Sequence, residues 1–187
     1  MTDPTIKLLR TIALDPSDTF VFDPVAEPGE WAVSGAFRFW DRDPSILEGK
    51  VRSAFRSGFL GVQSWGWSTL VQIVEASADD RAAVVELLAQ QLIDKLGAPD
   101  LATARHAAED EIAFVRSLCD HPRDTLVAVH RSTGNGEIRE AFRTLQPRNG
   151  PKPWRVFSFK DAENEEQPAE HVDLVGMIGG GTERERT

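Results

Sequence analysis

Cysteine is almost absent from this chain: Cys119 is the only one among 187 residues, so no disulfide can close within it. Long apolar runs are missing as well. No window reaches the roughly 18 to 20 apolar residues that a membrane-spanning helix needs. The first 30 residues show no basic start followed by an apolar stretch of signal-peptide length. These absences point to a soluble, cytoplasmic protein with no membrane partner. Several catalytic signatures are lacking too. The glycines at 179–181 are followed by neither a Lys-Ser or Lys-Thr pair nor a helix, so they make no phosphate loop. The glycines between Gly58 and Gly66 lack dinucleotide-binding spacing, and there is no serine elbow, paired cysteine or helical His-Glu-x-x-His pattern. The balance leans away from an enzyme.

The length and the 41% apolar and 27% charged residues suit one globular domain with a core large enough to need no staples. The net charge of −9 is unevenly spread. Residues 161–187 hold eight carboxylates against Arg184 and Arg186, and so carry −6. Residues 123–160 hold eight basic side chains against Asp124, Glu137 and Glu140, a local +5. A basic segment therefore runs straight into an acidic one. The acidic total argues against nucleic acid, which demands clustered Lys and Arg without such compensation.

Taken in order, residues 6–14 have the apolar density of a strand, and Asp15, Pro16, Ser17 and Asp18 break it. Residues 19–22 restart the β pattern, and 31–40 (WAVSGAFRFW) read as a longer strand with Trp31, Val33, Gly35, Phe37 and Phe39 on its core face. Asp43 before Pro44 predicts a capped helix running to about Ser57 and stopped by Gly58. The glycine-rich stretch 58–66 is expected to be a tight connection whose tryptophans fill the core, in preference to a stacking loop for a ligand. Residues 69–76 are a buried strand. Ser77 and Asp80 then open a capped helix over 79–96, and a second over 101–119 follows so closely that the two form an αα-hairpin.

The next stretch is the most informative. Asp120, His121 and Pro122 end the helix, residues 125–132 make a strand, and Asn135-Gly136 supply a two-residue turn into a returning strand over 137–145. That turn sets the register, with Arg131 opposite Glu140, Val129 opposite Phe142 and Val127 opposite Thr144. One face is thus apolar with a single ion pair. The other carries Leu126, Ala128, His130, Arg139, Arg143 and Leu145. Residues 154–159 could add a last strand, and 161–187 read as an acidic, Gly-rich, disordered tail beyond a single domain spanning 1–160.

Two constellations carry candidate chemistry. His130, Arg139 and Arg143, with Arg148, offer guanidinium forks to a phosphate, a carboxylate or an acidic peptide. The plainer alternatives are a solvated face or one covered by the acidic tail. Cys119, His121 and His130, completed by Asp120 or Glu111, offer ligands for zinc or a similar divalent metal. Against this stands the Cys119–His121 spacing, too short for a zinc knuckle, and the frequency with which such residues merely pack or cap a helix end. Glu111, between Ala108 and Val115 on the helical stripe, is either an edge carboxylate reaching solvent or a buried one that must find Arg116, His121 or a backbone donor.

The stretches SGFLGVQSWGWSTLVQIVEA, EIAFVRSLCDHPRDTLVAVHR and EIREAFRTLQP resemble a family of uncharacterised bacterial proteins, over about residues 7–147. The resemblance implies an accessory or assembly role beside formate dehydrogenase-type molybdoenzymes, and transfers no catalytic residue. The expected fold is α+β, a mostly antiparallel sheet packed against the αα-hairpin and one shorter helix. The expected function is non-enzymatic, with no cofactor: an accessory protein holding a partner protein or small anion on the basic hairpin face. The alternative is a small metal-dependent enzyme or metallochaperone at Cys119, His121 and His130.

Overall fold

β-branched and leucine-rich segments supply the strands and two amphipathic helices cover them, giving an α+β architecture. The structure, a computed structural model, describes residues 5–147 and 157–161. Its strands are β1 (Ile6–Ile12), β2 (Trp31–Val33), β3 (Phe59–Gly61), β4 (Trp67–Ser68), β5 (Leu70–Ala76), β6 (Leu126–Gly134), β7 (Glu137–Pro147) and β8 (Phe157–Asp161). They form one sheet in the order β4-β3-β2-β1-β5-β6-β7-β8, antiparallel at every neighbouring pair. The sheet curls strongly. Phe59 of β3 and Phe142 of β7, near opposite ends of that order, bring their rings to 6.1 Å between centroids.

The helices are α1 (Asp18–Val21), α2 (Gly49–Ser57), α3 (Ala78–Leu96) and α4 (Leu101–Leu118). Local sequence dictates the last two. Ser77 accepts from the Asp80 N–H and the Asp80 carboxylate accepts from the Ser77 N–H, a complete capping box that satisfies two donors at the start of α3. Gly97 closes it in the left-handed region, at φ 69°. Asp100 accepts from the Thr103 N–H to start α4. The pair forms the predicted αα-hairpin, and α4 packs on β1 and β2. Val84, Val85, Leu88, Ala104, Ala108, Ile112 and Val115 are buried with Leu9, Ile73, Val127 and Val129 of the sheet in one core. No helix among the described residues is long and apolar enough to cross a membrane.

The structure departs from the sequence reading in four places. Residues 19–22 belong with helix α1, not a strand. The Asp15 carboxylate takes the Ser17 N–H to begin a helical turn, and the Asp18 carboxylate anchors it by accepting from the N–H and hydroxyl of Thr69, 51 positions away. The strand expected over 31–40 ends at Val33. Gly35 turns the chain at φ 79°, and Ala36–Phe39 continue as a 3₁₀ turn that brings Phe39 onto Phe55 and Trp67. The helix expected from Asp43 to Ser57 is two pieces. Asp43 caps only the 3₁₀ turn Pro44–Ile46, Leu47 is extended, and α2 begins afresh after Glu48. Lastly, the strand expected over 154–159 is described over Phe157–Asp161, so it runs two residues past its expected end. The rest of 154–159 and the tail beyond Asp161 lie outside the described residues.

The glycine-rich stretch 58–66 is the tight connection expected, with Trp65 and Trp67 buried. Glu30 organises it, its carboxylate accepting from the N–H groups of Glu27, Gln63 and Ser64. Gly35 is the most constrained position. Besides its positive φ, a Cβ there would lie 2.6 Å from Leu60 Cβ and 2.9 Å from the Trp67 ring. We therefore expect Gly35→Ala to cost about 2–4 kcal/mol from backbone strain and overpacking together. It should lower the urea midpoint with an unchanged slope.

Candidate functional site

The hairpin β6–β7 forms in the register that the Asn135-Gly136 turn predicts, with Asn135 at φ 53° and Gly136 at φ 80°. Arg131 faces Glu140, Val129 faces Phe142 and Val127 faces Thr144. Two arginine environments follow from this one register. Arg131 points into the curl of the sheet and is fully buried; Arg139 and Arg143 lie on the other face and are exposed.

Arg131 is a hub whose five N–H groups all have acceptors. Its Nε donates to Glu140 Oε2 at 2.9 Å. Nη1 donates to the carbonyls of Gly58 at 2.7 Å, Phe55 at 3.1 Å and Ala54 at 3.3 Å at the end of α2, where the Ala54 carbonyl also accepts from the Gly58 N–H. Nη2 donates to the Ser34 carbonyl and, at 3.2 Å, to Ser34 Oγ. The Ser34 hydroxyl in turn donates to Glu140 in a short hydrogen bond. One side chain thus joins the hairpin to the end of α2 and to the corner after β2, and places a positive charge where the helix dipole favours it. Burial lowers the Arg131 pKa, and the Glu140 carboxylate opposes that effect.

Glu111 of α4 approaches the same group. Its Oε1 accepts from the Gly35 N–H at 3.4 Å. Desolvation, with the Glu140 charge adding to it, pushes its carboxyl up to about 7, against the pull of Gly35 and Arg131. Charge balance gives the reason: one guanidinium neutralises one buried carboxylate, and a second carboxylate keeps its proton more readily than it stays ionised. The sequence reading favoured an edge glutamate in solvent; Glu111 instead finds a backbone donor, one of the three partners set out for burial. Its partner Gly35 lies 76 positions away, so no local signal marks the pairing. Ser34 and Glu140 likewise escaped notice as members of a buried polar cluster.

The outer face holds His130, Arg139 and Arg143, all exposed. Across the ladder, His130 faces Ala141, Arg139 faces Ser132 and Arg143 faces Ala128, so small side chains separate the cationic ones. Arg139 folds along the hairpin, its guanidinium occupying the space where a Cβ on Gly134 would sit, 2.8 Å from Arg139 Cζ. Among the described residues none of the three makes an ion pair. Arg148 lies outside the described residues. Beside the hairpin end, a cleft of about 720 Å³ is bounded by Trp40, Arg42, Asp43, Pro44 and the hairpin residues 133–138. None of the buried polar cluster lines it.

Cys119, His121 and His130 stand in different settings. Cys119 is buried at the end of α4, where desolvation pushes its thiol up to about 12, so the thiolate a metal requires is disfavoured there. His121 is half-buried and its carbonyl accepts from Lys7 Nζ at 2.6 Å. His130 is on the outer face of β6. Among the described residues no group of three or more His, Cys, Asp or Glu side chains is placed to hold a metal ion.

The fold and this hairpin define an α+β protein with a curled antiparallel sheet, pinned by a buried arginine and presenting a cationic outer face. The chain belongs to a family of unknown function, DUF6505, whose model matches residues 6–158. No curated protein and no solved structure matches it.

Two outcomes test this account. Arg131→Ala should destabilise the protein by about 3–5 kcal/mol, since it takes from Glu140 its counter-charge and from buried carbonyls their side-chain donor, and thermal or urea unfolding will measure this. Because the Glu111 carboxyl ionises near 7 in the folded chain against 4.5 as its ordinary value, the unfolded state releases that proton first as pH rises. Stability relative to Glu111→Gln should therefore fall between about pH 4.5 and pH 7, by at most about 3 kcal/mol, and level off above. A flat difference across parallel denaturation curves would refute the burial of that proton.

Proposed function

We propose that this chain is a non-enzymatic accessory protein that holds an acidic segment of a partner protein, or a small anion of the same chemistry, on the outer face of the β6–β7 hairpin. One observation carries the reading. His130, Arg139 and Arg143 share an exposed face with no ion-pair partner among the described residues, while Arg131, next to His130 in the chain, is wholly engaged inside. An exposed guanidinium can meet a carboxylate or phosphate in a forked, charge-assisted hydrogen bond. The scaffold behind it suits the task, because the buried Arg131 cluster fixes the hairpin to the rest of the sheet and so fixes the spacing of the outer cations. Accessory work beside bacterial molybdoenzymes of the formate dehydrogenase type, in the cytoplasm, fits a protein built to grip a partner.

The reading predicts salt-sensitive binding. Titrating the full chain with a fluorescent hexaglutamate peptide should give an affinity that weakens as salt rises. Arg139→Glu with Arg143→Glu should reduce it roughly tenfold or more, the loss expected for about 1.4 kcal/mol of charge-assisted contact. Arg123→Glu, at an exposed arginine outside the hairpin, should leave it unchanged. Equal affinities for all three chains would remove the proposal.

A further inference from the structure

The cleft beside the hairpin end has two walls of different origin. One is the hairpin end itself, residues 133–138; the other is the segment from Phe39 to Pro44. Both are held from behind. Phe39 is buried against Phe55 and Trp67, with ring centroids at 5.3 and 5.4 Å, and the Asp43 carboxylate accepts from the Ser45 N–H and hydroxyl to cap the turn that follows. Arg131 ties the hairpin to Ser34, the residue before the Gly35 corner from which the second wall departs. Walls fixed in this way hold an opening of about 720 Å³, within the range of ligand clefts of roughly 300–1,000 Å³.

Trp40 lines this opening and is 75% exposed, whereas Trp65 and Trp67 are 7% and 3% exposed. An edge-to-face contact with Phe37, at 6.4 Å between centroids, braces its ring, and Pro44 and Ile138 add apolar surface to the same opening. A braced indole facing solvent suits an anchoring role, because it buries a large area at small cost in side-chain freedom. The charges around the opening offset one another. Burial, and then the charge of Arg42, lower the Arg38 pKa, so these two cations lie close together; Asp43 and Glu137 stand against them. A carboxylate entering the cleft gains no net attraction, and a lysine would meet Arg42. What the cleft offers is ring and aliphatic surface, which suits an uncharged aromatic side chain. The cleft also adjoins the cationic face. Arg139 lies over Gly134, a residue of the cleft, with its Cζ 2.8 Å from where a Cβ would sit. Arg139 is therefore at the rim, and Arg143 stands four positions along β7, about 14 Å away at the rise of a strand. An extended acidic segment that meets Arg143 and then Arg139 reaches the cleft with the next residue or two.

We infer that the partner's acidic segment carries an aromatic side chain at the end of its acidic run, and that this ring inserts between Trp40 and the hairpin end at 133–138. The inference rests on the proposed binding role of the outer face for the acidic run; the aromatic preference stands on Trp40 and the cleft.

Calorimetric titration of the full chain with unlabelled hexaglutamate peptides tests this. The peptides are flanked at both ends by tryptophan, alanine or lysine, since either direction along β7 brings one end to the cleft. The tryptophan-flanked peptide should bind roughly fivefold tighter than the alanine-flanked one, the size of one added aromatic contact. Trp40→Ala should bring it down to the affinity of the alanine-flanked peptide, and Trp40→Phe, which keeps a ring, should retain most of the gain. Equal affinities for the tryptophan and alanine peptides, a larger gain from lysine than from tryptophan, or a gain that survives Trp40→Ala overturns the inference. In each of these cases, binding of the alanine-flanked peptide still upholds the cationic face. A second probe, N-acetyltryptophanamide, carries the ring without charge. If it shifts the amide resonances of residues 133–138 while no acidic peptide binds, the aromatic preference of the cleft is upheld and the acidic role of the outer face is overturned. Neither peptide binding nor such shifts overturns both.

Discussion

A guanidinium taken out of water needs an acceptor for every N–H it carries and a counter-charge close by, and Arg131 obtains both only because four segments meet around it. β6 supplies the side chain, β7 supplies Glu140, the corner after β2 supplies Ser34, and the end of α2 supplies three carbonyls. None of these can shift alone without stranding a buried charge or a buried carbonyl, each of which costs more than an ordinary contact. The constraint gives the curled sheet a definite shape. β6 extends past its pairing with β5, and the arginine holds that overhang against α2 and β2, where Phe142 reaches Phe59.

The same constraint separates the two faces of the hairpin. Strand alternation puts Arg131 inside and its neighbours His130 and Ser132 outside. Since the inner arginine is spent on the fold, the outer arginines of the hairpin are the ones left exposed. Glu111 completes the inner arrangement from the helical layer. Burial desolvates its carboxyl and Arg131 already balances Glu140, so it holds its proton up to about pH 7 and the contact between α4 and the corner at Gly35 is sensitive to pH.

Legibility from sequence followed the range of the interactions involved. The capping box at Ser77 and Asp80, the stop at Gly97 and the Asn135-Gly136 turn are decided by residues within a few positions of one another, and all were readable. So was the pairing of Arg131 with Glu140, because a two-residue turn fixes every register position behind it. Residues 19–22 misled because Asp18 is anchored by Thr69, and residues 31–40 because Gly35 turns the chain toward Leu60 and Trp67. In both cases a distant partner overrode a reasonable local pattern. The proposed metal ligands were close in sequence or on adjoining elements, but a helix end and the outer face of a strand are different environments.

The sequence by itself determined the α+β class, the helical pair, the hairpin with its two faces and the sharp change from basic to acidic charge, since each follows from periodicity, caps, turns and composition. Only the tertiary structure decided that one arginine would be buried to join four segments and that Glu111 would stand beside it. Those outcomes depend on which surfaces meet when the sheet curls, and surfaces meet through contacts between residues dozens of positions apart, which no local pattern encodes.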